Sequence, residues 1–541
     1  MADFTFLFNR KGALYPLDFK TETTQSKLKN RFKNDWPLNN LLDSTLVHLC
    51  SKVLVNLPAK QLDRILDIIP AELFVPLFKA SLYPVRDNAL DIIINKWPYK
   101  SLKMSKFLSN MFSSLVVLYS DAEMGHRTRL GVKYSADVVH SFIDALRNRK
   151  TKLRYLDVTG LPIAEIIIKY VATHCRLAQK EYQRNCLIDE YLQNVTDLET
   201  LCDKSKNEEE NSNVNKSAQI SNLRSDLKKT TSLPDEQLIF KFDCILQERA
   251  TFDELMGALE ANAGNNRFCM QICKLDLLCL GKSNIIKLLD KLDKELIEGL
   301  RLQYNSITEE SIRDIIPYLS QLRNLRALDL SCNLIDYRQN SEVSRQMADV
   351  LGSLKHLNRL DLSGSPLGGC LSSLLSGIDM PLQYLSLHSC GLTDTDLFYL
   401  SNSKHVLVEH LDLSENRLTR FSDSLILLLK KCAPNLNVLE LDDNRFDCID
   451  YLTIICVARK MPKLKLLATK GTFEVNDHLL GAEFLQHSNS LLAWRISLPI
   501  DVYDPNETDI VAQEAQKRVF VERINAIIKD KFKLVVNELF F

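Results

Sequence analysis

Between residues 297 and 446 the apolar positions fall into one figure six times. Ile297, Leu300, Leu302, Asn305 and Ile307 spell LxxLxLxxNxL, and Leu325, Leu328, Leu330, Asn333 and Ile335 repeat it. Leu357, Leu360, Leu362, Ser365 and Leu367 follow with serine at the Asn place, then Leu382, Leu385, Leu387, Cys390 and Leu392 with cysteine there. Val408, Leu411, Leu413, Asn416 and Leu418, then Leu436, Leu439, Leu441, Asn444 and Phe446, complete the series. The alternation inside each unit predicts a short strand with its leucines turned inward, and an Asn amide that bonds backbone groups of the turn that follows. Successive Asn-type positions lie about 25 to 32 residues apart, which leaves room for an outer helix such as SEVSRQMADVLGSL or DSLILLLKKC.

One such unit cannot close its own core, so neighbours must stack. The pattern therefore predicts an α/β leucine-rich repeat solenoid, a horseshoe with helices on the convex face. Weaker units stand upstream at Leu153, Leu156, Val158 and Leu161, and at Ile272, Leu275, Leu277 and Leu280. Between them, residues 203–235 are polar and charge-rich and hold too few large apolar side chains to offset their ordering entropy, so they are expected to be a disordered insertion. The expected organisation is an N-terminal segment (1–35), a helical adaptor region (36–135), one or more irregular repeats (136–202), the insertion, the repeat array (236–500) and a C-terminal cap (501–541).

Charge changes this picture by exclusion. Lys plus Arg number 68 against 69 Asp plus Glu, so no strong overall field favours a nucleic acid or an anionic membrane. No signal-like leader or bilayer-length apolar run appears, and a soluble chain of the cytosol or nucleus is expected. The basic run Lys27, Lys29, Arg31 and Lys33 reads as a solvated face or tether before an import or phosphate-contacting patch. The cysteines, including Cys50, Cys273, Cys279, Cys332, Cys390 and Cys432, are scattered through apolar segments and are expected to be reduced and mostly buried. Cys269, Cys273 and Cys279 lack a histidine and a fourth ligand, so no metal is expected. His388 and His410, in or beside repeat strands, read as structural or surface residues. No nucleotide-binding, metalloprotease or hydrolase motif occurs. The chain reads as non-catalytic, without cofactor, binding an unidentified protein target.

In the adaptor region, STLVHLCSKVL offers a helix start at Ser44 or Thr45. Leu46, Cys50 and Leu54 share one face, with Leu49 and Val53 beside them. By spacing alone, that stripe fits a helix packed on its own domain. The segment TLVHLCSKVL also resembles the elongin-binding BC box of cullin-RING ubiquitin ligase receptors, and Ile69, Pro70, Leu73 and Leu77 in IPAELFVPL resemble the cullin-2 box that follows it. A cullin-5 box would carry a second proline where Glu72 stands.

A wider resemblance runs through most of the chain. DIIPAELFVPLFKASLYPVRDNALDIIINKWPYKSL, LRYLDVTGL, MPLQYLSLHSCGLTDTDLFYLSNS, VEHLDLSENRLT and LPIDVYD are similar to segments of the PRAME family. The resemblance implies a substrate-recognition subunit of an elongin B/C–cullin-2 ligase, with transfer chemistry left to partner enzymes. It places Thr45, Leu46, Cys50 and Leu54 against elongin, and Ile69, Pro70, Leu73 and Leu77 at the cullin surface or in the packing that shapes it. The variable strand positions Arg301, Gln303, Asp329, Asp361, Ser386, Asp412, Glu440 and Asp442 are the candidates for target contact on the concave face, where mixed charge suits protein recognition. The alternative is a scaffold or inhibitor that sequesters a signalling protein, for example in NF-κB-type innate immune signalling, without any ligase.

Overall fold

A computed structural model describes residues 46–82, 87–104, 136–146, 151–160, 163, 165–203, 237–262, 268–339, 341–499, 502, 510–529 and 531–537. Thr45, Leu161, the basic run at residues 27–33 and nearly all of the polar insertion lie outside them. Among the described residues, thirteen strands pair in chain order into one open, parallel sheet. They are β1 (Ser101–Lys103), β2 (Tyr155–Asp157), β3 (Leu238–Leu246), β4 (Phe268–Leu277), β5 (Gly299–Arg301), β6 (Ala327–Asp329) and β7 (Arg359–Asp361). β8 (Leu382–Ser386), β9 (Val406–Asp412), β10 (Val438–Glu440), β11 (Leu466–Ala468), β12 (Ala493–Ser497) and β13 (Lys533–Asn537) complete it. A helix or helical turn follows most strands, as an α/β solenoid requires. The sheet extends beyond residues 236–500 at both ends, since β1 and β2 precede that span and β13 follows it. The helix Glu165–Asp203 runs one residue into the stretch read as insertion.

The inward leucines close the core. Leu300, Leu328, Leu360, Leu385, Leu411 and Leu439 stand in register on β5 to β10 and are fully buried, as are Leu302, Leu330, Leu362, Leu387, Leu413 and Leu441. The Asn amides bond backbone groups of their own turn, as Asn416 does with the Leu413 and Ser414 carbonyls, and they also bond back to the preceding repeat. The Asn305 carbonyl accepts from the Leu280 (2.8 Å) and Gly281 (3.2 Å) N–H groups, and its NH₂ donates to the Leu277 carbonyl at 2.6 Å. Asn416 does the same to the Cys390 and Leu392 N–H groups and the Leu387 carbonyl. Each side chain thus satisfies buried backbone groups that the tight turn leaves unpaired. Ser365 is too short to reach, and its buried hydroxyl has no hydrogen-bond partner among the described residues.

After the strands the chain turns through left-handed backbone at Cys279, Tyr304, Cys332, Gly364, Ser389, Glu415 and Asp443, with φ from +53° to +73°. Helix packing is closest where Gly377 meets the helix Ser341–Ser353, for a Cβ there would lie 2.1 Å from the Ala348 carbonyl oxygen.

Among the described residues, four short α-helices precede the sheet: α1 (Leu46–Leu54), α2 (Ala59–Leu66), α3 (Phe74–Ser81) and α4 (Asp87–Asn95). Trp97 is buried edge-on against Phe74 and Phe78, and its Nε1–H donates to the Ser101 carbonyl. That contact ties the helices to β1. No helix among the described residues is long and apolar enough to cross a membrane.

Candidate functional site

Two surfaces collect the candidate residues. The first is α1. It packs on α3, with Ser51 and, just past its end, Val55 buried and Leu54 half-buried. A different side faces solvent: Leu46 is 76% exposed, Val53 65% and Leu49 52%, with Cys50 exposed beside them. The stripe Leu46–Cys50–Leu54 is therefore not one core face. The buried side carries Ser51, a polar residue the apolar pattern passes over, whose hydroxyl is satisfied within the helix by donating to the Val47 carbonyl at 2.8 Å.

The second motif divides differently. Leu77 is buried in the core, Leu73 and Ile69 are half-buried, and Pro70 is exposed at the start of the 3₁₀ turn Ala71–Leu73. Leu77 thus sets the shape of the domain and cannot itself touch a partner, which favours the packing role for that position. Ile68, which the motif omits, is 81% exposed. The side chain of Lys96 pairs with Asp67 at 2.7 Å and Asp63 at 3.0 Å, holding α2 near α4.

The other surface is the sheet face turned away from the helices. A depression of about 550 Å³ there is lined by Arg301, Gln303, Asp329, Asp361, Ser386, Asp412, Glu440 and Asp442, so all eight candidate positions share one concavity. Its charge is mixed and weighted to acid: eight carboxylates line it against Arg301, Lys470 and Arg495. The strand register explains the crowding, since Asp276, Arg301, Asp329, Asp361, Ser386, Asp412 and Glu440 pair in one row from β4 to β10. Neighbouring strands lie only about 4.8 Å apart.

Most of this charge is already engaged. Arg301 is buried between two carboxylates, its Nε on Asp329 at 2.7 Å and its Nη1 on Asp276 at 3.1 Å. Arg495 reaches both Glu440 and Asp442, and Lys470 approaches Asp442 at 3.5 Å. Burial opposes the Arg495 charge, but Glu440 and Asp442 outweigh it and raise its pKa. His410 pairs with Glu440 at 3.0 Å and packs against the Tyr384 ring, so it is a buried structural histidine, whereas His388 lies nearer the rim, 3.5 Å from Glu415. The Tyr384 hydroxyl donates to Asp361 at 3.0 Å.

Within the strand row, Asp361 and Asp412 are the exceptions. Neither has a cation in ion-pair contact among the described residues; they accept hydrogen bonds from Ser363 and Tyr384, and from Ser414 and Ser386, respectively. Burial, reinforced by the Asp329 charge, pushes the Asp361 pKa up to about 7. Burial and then Glu440 raise that of Asp412. Carboxylates held this way gain from a cation brought to them.

Several groups of this surface carried no signal in the repeat pattern. Asp276, Lys470 and Arg495 belong to repeats whose Asn figure is weak or missing; the register brings Asp276 and Arg495 into the row, and Lys470, just past β11, lines the same depression. The cysteines are less uniformly buried than expected: Cys273, Cys390 and Cys432 are buried, Cys332 is intermediate, and Cys50 and Cys279 are exposed. Cys50 sits on the solvent side of α1 and Cys279 on a left-handed turn. Among the described residues, no three His, Cys, Asp or Glu side chains are grouped to hold a metal ion.

The family model for the PRAME C-terminal domain matches residues 238–537, more than half of the 541-residue chain. The chain is 26% identical over 392 residues to leucine-rich repeat-containing protein 14 of Xenopus laevis, covering 70% of this chain and 72% of that protein. It is 25% identical over 389 residues to PRAME family member 20 of Homo sapiens, covering 70% of each. To the Homo sapiens leucine-rich repeat-containing protein 14 it is 29% identical over 231 residues, which span 41% of this chain and 46% of that one. A matched domain that begins with β3 and ends with β13, together with relatives aligned over most of their length, establishes that the chain belongs to the PRAME family of leucine-rich repeat proteins.

Proposed function

We propose that this chain is the substrate-recognition subunit of an elongin B/C–cullin-2 RING ubiquitin ligase, with α1 as the elongin-docking helix and the acidic sheet face as the target surface. Family membership and the repeat architecture make the chain a protein-interaction scaffold. The finer reading rests above all on the exposed side of α1. A nine-residue helix that turns Leu46, Leu49, Cys50 and Val53 to water, while Ser51 and the following Val55 are buried and Leu54 half-buried, has the form of a helix presented to an apolar groove. In this reading Leu46 and Cys50 touch elongin, and Leu54 holds the helix on its own domain. Pro70 and Ile68 stand at the surface nearest the cullin-box-like segment, and Leu77 supports them from the core. Ubiquitin transfer would belong to the partner enzymes.

The deciding experiment is a pull-down of the purified chain with elongin B/C and cullin-2, beside a Leu46→Ala/Cys50→Phe variant checked by circular dichroism. Capture by the wild type and at least tenfold weaker capture by the folded variant is the expected result. No capture by a folded wild type, or equal capture by both, overturns the reading and leaves a scaffold or inhibitor without ligase partners.

A further inference from the structure

The sheet face contains its own precedent for holding a guanidinium. On β4, β5 and β6, Asp276, Arg301 and Asp329 stand side by side in register, and the central arginine bridges the two acids with Nη1 at 3.1 Å and Nε at 2.7 Å. On β7, β8 and β9 the same row reads Asp361, Ser386 and Asp412. The flanking carboxylates are again two strands apart, about 10 Å at the backbone. In that row only the central residue differs, and the Tyr384 hydroxyl donates to Asp361 at 3.0 Å. Ser386 is short, and its hydroxyl meets Ser363 at 2.7 Å and Asp412 at 3.4 Å, so the space occupied by a guanidinium in the first triplet opens here into the depression.

We infer that the Asp361–Ser386–Asp412 triplet receives an arginine side chain from the protein target, seated over Ser386 as Arg301 is seated between Asp276 and Asp329. This deepens the proposed function, since it rests on the sheet face being the target surface and names the chemistry recognised there. Three observations converge on it. The two carboxylates have no cation in ion-pair contact among the described residues, although their row supplies one to the triplet beside them. Arg359, the cation nearest in sequence to Asp361, lies over the Tyr384 ring at 4.6 Å. The surrounding depression carries an excess of acid, so a cationic partner is complementary in charge. Arginine fits better than lysine because its planar fork bonds two separated carboxylates at once, as Arg301 does, whereas an ammonium is a single strongly hydrated point charge.

The test titrates the full chain with an acetylated, amidated Gly-Gly-Ser-Arg-Ser-Gly-Gly peptide by ligand-observed NMR, beside counterparts carrying lysine or citrulline at the centre. The arginine peptide is expected to bind at least tenfold more tightly than the lysine peptide, and the citrulline peptide not measurably. Ser386→Arg places a guanidinium in the gap from within and is expected to abolish that binding while the unfolding midpoint stays level or rises. Asp361→Asn/Asp412→Asn keeps the shape, removes the charge and is expected to weaken binding at least tenfold, whether or not the arginine variant folds. Equal binding of arginine and lysine peptides reduces the face to general acidity and overturns the inference. Undiminished binding to the neutral double variant does the same. Elongin capture plays no part in this titration, so either proposal can fail while the other stands.

Discussion

The solvent side of α1 and the sheet face both expose groups that fold poorly into isolation, but they differ in the kind of partner that relieves them. On α1, Leu46, Leu49 and Val53 leave apolar area in water, and any complementary apolar groove removes that cost without regard to pH or salt. On the sheet face, the register stacks carboxylates that the chain only partly neutralises with Arg301, Lys470 and Arg495. Relief there requires a cation, and it weakens with salt to the extent that solvent reaches the pair. One chain thus carries a surface suited to a constant partner with an apolar groove and another suited to selection by charge.

The sharpest way to break this contrast is to ask whether α1 and the helix beneath it differ in kind. Leu77→Ala, in the core of α3, is expected to destabilise the chain by about 3 kcal/mol, while Leu46→Ala changes stability by less than about 0.5 kcal/mol. Urea unfolding of both variants checks this; similar losses would mean that the Leu46 side of α1 is core after all. The helical pattern announced an amphipathic segment there but pointed to the wrong side. The period of 3.6 says which residues share a side and not which side meets α3, and that choice fell to Ser51 and Val55 once the helices packed.

A middle-sized effect sharpens the account of the sheet face. Asp361 titrates near 4 in an unfolded chain and about 7 in the fold, so the fold favours its protonated form. Its contribution is fully present below about pH 4 and is lost as pH rises through about 7. Between pH 5 and 8 the wild type is expected to lose about 2 kcal/mol that Asp361→Asn retains. Thermal unfolding across that range measures it, and parallel profiles for the two proteins would show that neither burial nor the neighbouring Asp329 and Asp412 strain Asp361.

The smallest effect concerns the scaffold that both surfaces share. Ser365 breaks the Asn ladder, so Ser365→Asn is expected to stabilise the chain by about 1 kcal/mol by bonding turn amides of the preceding repeat, as Asn416 does. A lower unfolding midpoint would show instead that this repeat has closed around serine.

The sequence by itself determined the repeat. Strand leucines at alternate positions and an Asn at a fixed offset act within a few residues, so β5 to β10 and their buried leucines could be read directly from spacing. It also named the residues of both surfaces, including Leu46, Cys50, Asp361, Ser386 and Asp412. What those residues do to one another was decided by the tertiary structure, because it depends on register between strands about 25 to 32 residues apart. Only when β4 to β10 align does Arg301 turn out to be consumed by Asp276 and Asp329, while Asp361 and Asp412 face each other across a serine. Local spacing fixes which side chains leave the sheet on one face, and the pairing of distant strands fixes which charges meet there.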